Sequence, residues 1–345
     1  MDKKTAPIPV FDTSAAEKAR AYIDTLTKPP GSLGRLEEIA IELAGMTGHP
    51  FPDVSPPGIL VFAADHGIVE EGVSAFPQDI TGQMAQNFLH GGAAINVFAQ
   101  EIKAPFQLID IGMVQDIQDS SLVSRKIKKG TANFLTQDAM TREETIEAIH
   151  AGFEEASAFI KENKIKSLIL GEMGIGNTTA SSAVIAALAN IDIESVTGIG
   201  TGLTDHQIQH KQDILNQALK NRDLTTEDPI DVLSKVGGLE IAGMTGAMLS
   251  AASRRIPIII DGFISSTAAV VAAKMKPAIT DFMIVGHLSA EPGHHVSTKL
   301  LQKKPILDLD MRLGEGSGAS LAYPILQSAC AIVHKMATFT DLEKY

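Results

Sequence analysis

The feature that most constrains this chain is a repeated order of segments. A short apolar run is followed by glycine and polar residues, then by a longer stretch with helical periodicity. Apolar runs at 58–64, 106–111, 167–170, 257–260, 282–285 and 306–309 are the candidate strands. Several are continuously apolar, as expected of parallel strands covered on both faces. Periodicity predicts helices over 14–26, 33–46, 80–99, 142–161, 178–189, 205–219, 239–252, 266–274 and 318–335. Strand, turn and helix in repetition give an α/β fold with a mostly parallel sheet flanked by helices.

Two helical segments precede the first strand, and a proline-rich linker at 49–57 separates them from it. They read as a small helical domain over 1–50, joined by the last helix at about 320–345. Residues 58–319 then form the large α/β domain. With 345 residues the chain can bury a core without metal or disulfide staples.

Acidic residues outnumber basic ones by 41 to 29, a net charge of −12. Nucleic acid is therefore not an expected partner, because binding it requires a basic face that displaces counterions. The one basic cluster, Arg125, Lys126, Lys128 and Lys129, reads as a solvated edge. The single cysteine, Cys330, excludes an intrachain disulfide and fits a reducing, cytoplasmic setting. It lies in an apolar run, which suits a small buried hydrophobe better than a reactive thiol. The first residues carry no apolar stretch of a signal peptide. The most apolar segment, 256–273, is interrupted by Asp261, Ser265, Ser266 and Thr267. It reads as strand, turn and helix, so no membrane is expected as a partner.

Six clusters stand just after candidate strands or at helix starts: 64–67, 171–179, 198–202, 261–266, 286–294 and 312–318. In an open parallel sheet the strand C-termini share one edge, where ligands bind. The clusters are expected to converge there.

In the cluster Gly-Glu-Met-Gly-Ile-Gly-Asn-Thr-Thr at 171–179, glycines let the backbone approach a ligand, and a helix N-terminus favours an anion. This suits a phosphate or ribose; a plain tight turn capped by Asn177 or Thr178 is the alternative. The segment lacks the third glycine of a dinucleotide fingerprint and the lysine of a P-loop. Glu172 is an unusual choice beside such a turn. In Leu-Gly-Glu-Gly-Ser-Gly at 313–318, glycines flank Glu315 and let a substrate reach its carboxylate. A partly apolar pocket would raise its pKa and suit it to accept a proton near neutral pH. The alternative is an acidic residue stabilised by the helix dipole.

His287, Glu291, His294 and His295 invite a metal reading, but Pro292 interrupts the spacing and no second ligand cluster supports it. A polar pocket wall is preferred, and neither metal nor cofactor is expected. Lys211, on the helix after 198–202, is placed to reach a phosphate; a solvated lysine is the ordinary alternative. The 72–78 loop, with Ser74 and Phe76, and the following Gln83 and Met84 offer small, amide and apolar groups for a flat ligand. Gly91 and Gly92 fall inside a helical run and read as sites of close helix packing.

Together, Lys-Pro-Pro-Gly-Ser-Leu-Gly-Arg-Leu-Glu at 28–37, the 64–67 and 72–78 motifs, and those at 171–179, 286–294 and 313–319 resemble the nicotinate-nucleotide–dimethylbenzimidazole phosphoribosyltransferases. The resemblance runs in order from Lys28 to the last helix. It implies a Rossmann-like large domain, a small helical domain from both chain ends and a homodimer. It also implies transfer of phosphoribosyl from nicotinate mononucleotide to 5,6-dimethylbenzimidazole, in the lower-ligand branch of cobalamin synthesis. The family's general base maps onto Glu315, and Glu172 is the second functional carboxylate.

In that chemistry Gly174, Gly176, Asn177, Thr178, Gly200, Thr201 and Lys211 are candidates for the phosphate and ribose, with Gly262 and Ser289 lining the same pocket. Ser74, Phe76, Gln83, Met84 and Leu313 are candidates for the base. Two other readings rest on the same residues: a non-catalytic nucleotide or base sensor, and a nicotinamide-dependent oxidoreductase argued only from the sheet and its glycine-rich turns.

Overall fold

The computed structural model describes residues 7–198, 200 and 202–344. The strands are β1 (Pro57–Ala64), β2 (Phe106–Gly112), β3 (Val123–Ser124), β4 (Ser167–Met173), β5 (Ile258–Ile260), β6 (Met283–Val285), β7 (His287–Leu288) and β8 (Leu307–Asp308). The helices are α1 (Thr13–Ile23), α2 (Arg35–Thr47), α3 (Ile80–Leu89), α4 (Ala94–Glu101), α5 (Arg142–Asn163), α6 (Asn177–Ala189) and α7 (Asp205–Asn221). They continue with α8 (Pro229–Val236), α9 (Leu239–Ser253), α10 (Phe263–Met275), α11 (Pro292–Leu301), α12 (Ser317–Lys335) and α13 (Phe339–Leu342).

Six strands form one sheet in the order β3-β2-β1-β4-β5-β6, and every pairing in it is parallel. All eight residues of β1 are buried, which explains its unbroken apolar sequence. Phe62 of β1 faces α9, where it packs against Gly243. Its neighbour Val61 points to the other face, level with Gly171 of β4, which lies against the start of α12. Alternation along the strands thus separates an α9 face from an α12 face. Helices α1 and α2 pack on α12, and Leu26 forms an isolated bridge with Thr338.

The structure corrects two of these expectations and adds one short strand. The apolar run at 306–309 does not join the main sheet; Leu307–Asp308 pairs with β7 in a separate two-stranded sheet. The outer strand beside β2 is instead the two-residue β3, too short to leave a periodic signal. The helix expected over 80–99 is two helices. Gly91 adopts φ +77° and the Gly92 N–H returns to the Asn87 carbonyl at 3.0 Å, so this glycine pair ends α3. Pro292 starts a helix, because proline at the first helical position has no N–H to leave unpaired. Pro229 begins α8 in the same way, with Asp228 as its cap.

The basic cluster is an edge laced with ion pairs: Arg125 with Glu155 at 2.8 Å, Lys126 with Asp110 at 3.1 Å, Lys128 with Glu144 at 3.1 Å. Cys330 is buried, and burial pushes its thiol up to about 12. Among the described residues no helix is long and apolar enough to cross a membrane.

Candidate active site

The sheet reverses its direction of growth between β1 and β4, leaving a crevice beyond their C-terminal ends. A cleft of about 210 Å³ opens there. β4 contributes Glu172 and the turn that starts α6; β5 contributes Asp261 and Gly262; the segment after β6 contributes His287, Ser289 and Glu291. The loop before α12 contributes Arg312, Leu313, Gly314 and Glu315. Five of the six sequence clusters reach this lining (171–179, 198–202, 261–266, 286–294 and 312–318).

Glu315 is buried and has φ +63°, between Gly314 at +85° and Gly316 at +87°. Its Oε2 accepts the Ile95 N–H at 3.4 Å, at the start of α4. The glycine break before α4 therefore aims a helix N-terminus at this carboxylate. Burial pushes the Glu315 carboxyl above its ordinary range; the Ile95 N–H opposes this and the nearby Asp261 adds to it. Glu172 accepts the Glu315 N–H through Oε1 at 3.4 Å and the Asn177 amide through Oε2. Burial, then the charges of Glu240 and Asp261, raise Glu172 to about 8, so it is protonated at neutral pH.

Behind Glu172, His66 at the end of β1 pairs with Glu240 of α9 at 2.8 Å, and both are fully buried. Burial disfavours the His66 cation, but Glu240 outweighs it and raises the His66 pKa. Across the cleft Lys211 is almost fully buried, and its Nζ donates to Thr178 Oγ1 at 3.0 Å. Burial brings Lys211 down to about 8, against the pull of Glu291. Arg312 donates to the Gly200 carbonyl at 2.8 Å.

Gly174, Asn177, Thr178, Gly200, Gly262 and Ser289 all line this cleft, with Glu172 and Glu315. Phe76, Met84 and Leu313 form an apolar wall, and Phe76 and Leu313 are about half exposed at its mouth (46% and 56%). Lys211 and Gly176 stand behind the lining, Gly176 as the residue that starts α6. Ser74 does not reach the cleft; its Oγ accepts the Phe76 N–H at 3.2 Å and shapes the loop. Gln83 lines a separate hollow with Asp65 and Gln115, because neighbouring helix residues point about 100° apart and only Met84 faces the cleft. Thr201 lies outside the described residues.

His287 and Glu291 sit in the cleft wall, while His294 is buried and held near 4 by burial and by His287. Asp261 and Arg312 belong to clusters expected at the sheet edge, but neither they nor Glu240 or Ile80 receive an individual role from the sequence. Each carries an ordinary local explanation, as a cap, a surface charge or a helix face, and only the sheet brings them to one place.

The sequence model of the family described as Phosphoribosyltransferase matches residues 8–343. A nicotinate-nucleotide–dimethylbenzimidazole phosphoribosyltransferase of Halalkalibacterium halodurans is 48% identical over 329 residues, 95% of this chain and 92% of the relative. One of the same name from Chloroflexus aggregans is 49% identical over 332 residues, 96% of this chain and 94% of its own. The crystal structure of such an enzyme from Thermus thermophilus superposes with a TM-score of 0.91 at 42% identity, covering 97% of this chain and 99% of that one. On the family match over nearly the whole chain, these identities and this superposition, the chain belongs to the nicotinate-nucleotide–dimethylbenzimidazole phosphoribosyltransferase family.

Proposed function

We propose that this protein transfers the phosphoribosyl group of nicotinate mononucleotide to 5,6-dimethylbenzimidazole, releasing nicotinate and α-ribazole 5′-phosphate for cobalamin synthesis. The observation that carries the reading is Glu315, a buried carboxylate with raised proton affinity between two glycines at the floor of the cleft. Glu315 takes the benzimidazole N–H proton while the other ring nitrogen attacks C1 of the ribose. The C1–N bond to nicotinate breaks as the new bond forms, and the pyridinium nitrogen takes the electron pair and leaves neutral. Attack on the opposite face turns a β-nucleotide into an α-product.

The chain's own groups supply the binding. Phe76, Met84 and Leu313 receive the flat base, as an apolar wall suits a planar ring. Gly174, Asn177, Thr178, Gly200, Gly262 and Ser289 hold the ribose and phosphate, with Lys211 supporting Thr178 from behind. Binding energy from the remote phosphate fixes C1 between the two bases. Positive charge developing on the ribose faces the Glu291 and Glu315 carboxyl groups of the cleft lining. The family resemblance supports a homodimer, and the single buried thiol fits a cytoplasmic setting.

Product analysis tests this directly. Purified protein is mixed with nicotinate mononucleotide and 5,6-dimethylbenzimidazole, without added metal. Nicotinate and a new α-ribotide are expected together. Binding of both ligands with no product would favour a sensor instead. E315Q, if folded, is expected to lose turnover by about 100-fold or more; near-normal turnover would remove Glu315 as the base.

A further inference from the structure

Glu315 occupies a backbone conformation that L-residues avoid, at a cost of about 1 kcal/mol or more. Such a conformation persists only where its surroundings hold it. On one side the Glu315 N–H is taken by Glu172. On the other side the Gly316 N–H donates to Asp261 Oδ2 at 3.1 Å, and the Ala319 N–H donates to Asp261 Oδ1 at 2.9 Å. Asp261 stands at the end of β5, is 2% exposed, and gives its own N–H to Ser265 Oγ at 3.4 Å. His287 Nε2 lies 3.5 Å from Asp261 Oδ1 without hydrogen-bonding to it, so the carboxylate's partners are the backbone N–H groups of the loop. Gly316 has no side chain to cap α12; the Ser317 N–H goes to the Gly314 carbonyl at 3.0 Å, and this tertiary carboxylate receives the N–H groups of Gly316 and Ala319.

We propose that Asp261 is a positioning residue for Glu315: by fixing the backbone at Gly316 and Ala319 it keeps the Glu315 side chain turned into the cleft. The inference rests on the reading of Glu315 as the base. A plainer role is a helix cap for α12, contributing about 1 kcal/mol of stability and nothing to the reaction. The two differ in whether Asp261 acts through Glu315.

The test is a double-mutant cycle on the full chain, with nicotinate mononucleotide and 5,6-dimethylbenzimidazole as substrates. Wild type, D261N, E315Q and the double variant are compared for kcat, both KM values and Tm. D261N is expected to lower kcat by about 30-fold with both KM values within about threefold of wild type. In the E315Q background the same change is expected to cost less than about threefold in kcat, because residues acting through one another are not additive. A lower Tm with unchanged kcat would reduce Asp261 to a helix cap and overturn the inference. An equal loss of kcat in both backgrounds would also overturn it, because Asp261 would then act without Glu315. Wild-type turnover in E315Q alone would show instead that the base reading fails, and the inference with it. Should D261N not fold, D261S keeps an acceptor without the charge and is read by the same comparisons.

Discussion

The backbone N–H of Glu315 donates to Oε1 of Glu172 at 3.4 Å, tying the loop that opens α12 to the end of β4. The two carboxylates are 143 residues apart in the chain. Burial then acts on the charge of the whole neighbourhood. It pushes Glu172 and Glu315 towards their protonated forms and Lys211 towards its neutral form.

Glu172 sets a pH dependence of stability. Its pKa is about 8 in the fold, against an ordinary value of 4.5. Below pH 4.5 both folded and unfolded chains hold the proton. Between 4.5 and 8 the unfolded chain releases it first, so this residue's contribution to stability falls as pH rises and is lowest above 8. E172Q removes that slope. Its Tm relative to wild type is expected to rise progressively from about pH 5 to about pH 8.5 in thermal melts. A difference that does not change with pH would contradict the burial argument.

Lys211 is expected to serve the phosphate more than the base. K211A should raise KM for nicotinate mononucleotide about tenfold, and KM for dimethylbenzimidazole much less. In the wild type the free enzyme loses the Lys211 proton as pH passes about 8. A bound phosphate dianion favours the protonated form, so nucleotide binding weakens above that pH. Steady-state kinetics from about pH 6.5 to about pH 9.5 check both points. An unchanged nucleotide KM in K211A would remove this lysine from the phosphate site.

Gly171 marks where backbone meets backbone. A Cβ there would overlap the Glu315 carbonyl, which is main chain and cannot rotate away. G171A should therefore push the Glu315 loop off β4 and lower turnover by about tenfold or more, with destabilisation of about 1–3 kcal/mol. Turnover and denaturant unfolding measured on the same preparation separate the two effects. Wild-type values for both would mean that the loop has slack the structure does not show.

Cys330 should be inert. It is 6% exposed, and its thiol is pushed to about 12. Ellman's reagent is expected to label it only after unfolding in guanidinium. Rapid labelling of the native protein would show that α12 opens at its C-terminal half.

Apolar runs, glycine-rich strand ends and helical periods follow from neighbours in the chain, so the sequence alone suffices for an α/β fold, the Glu315 and Glu172 motifs and most of the cleft lining. Where geometry depends on distant partners, local signals run out. Gly91 and Gly92 read as packing sites within one helix, yet they end α3 and let α4 point its first N–H groups at Glu315. The run at 306–309 is apolar enough for the main sheet, but it pairs with β7 instead. Gln83 and Met84 are adjacent, and only the packing of α3 decides which of them faces the cleft. Asp261 reads locally as a residue before a glycine turn. It becomes a support for Glu315 because β5 lies beside β4 and α12 starts above both. Local spacing determines which residues end a strand or start a helix; strand order alone determines which of those ends meet.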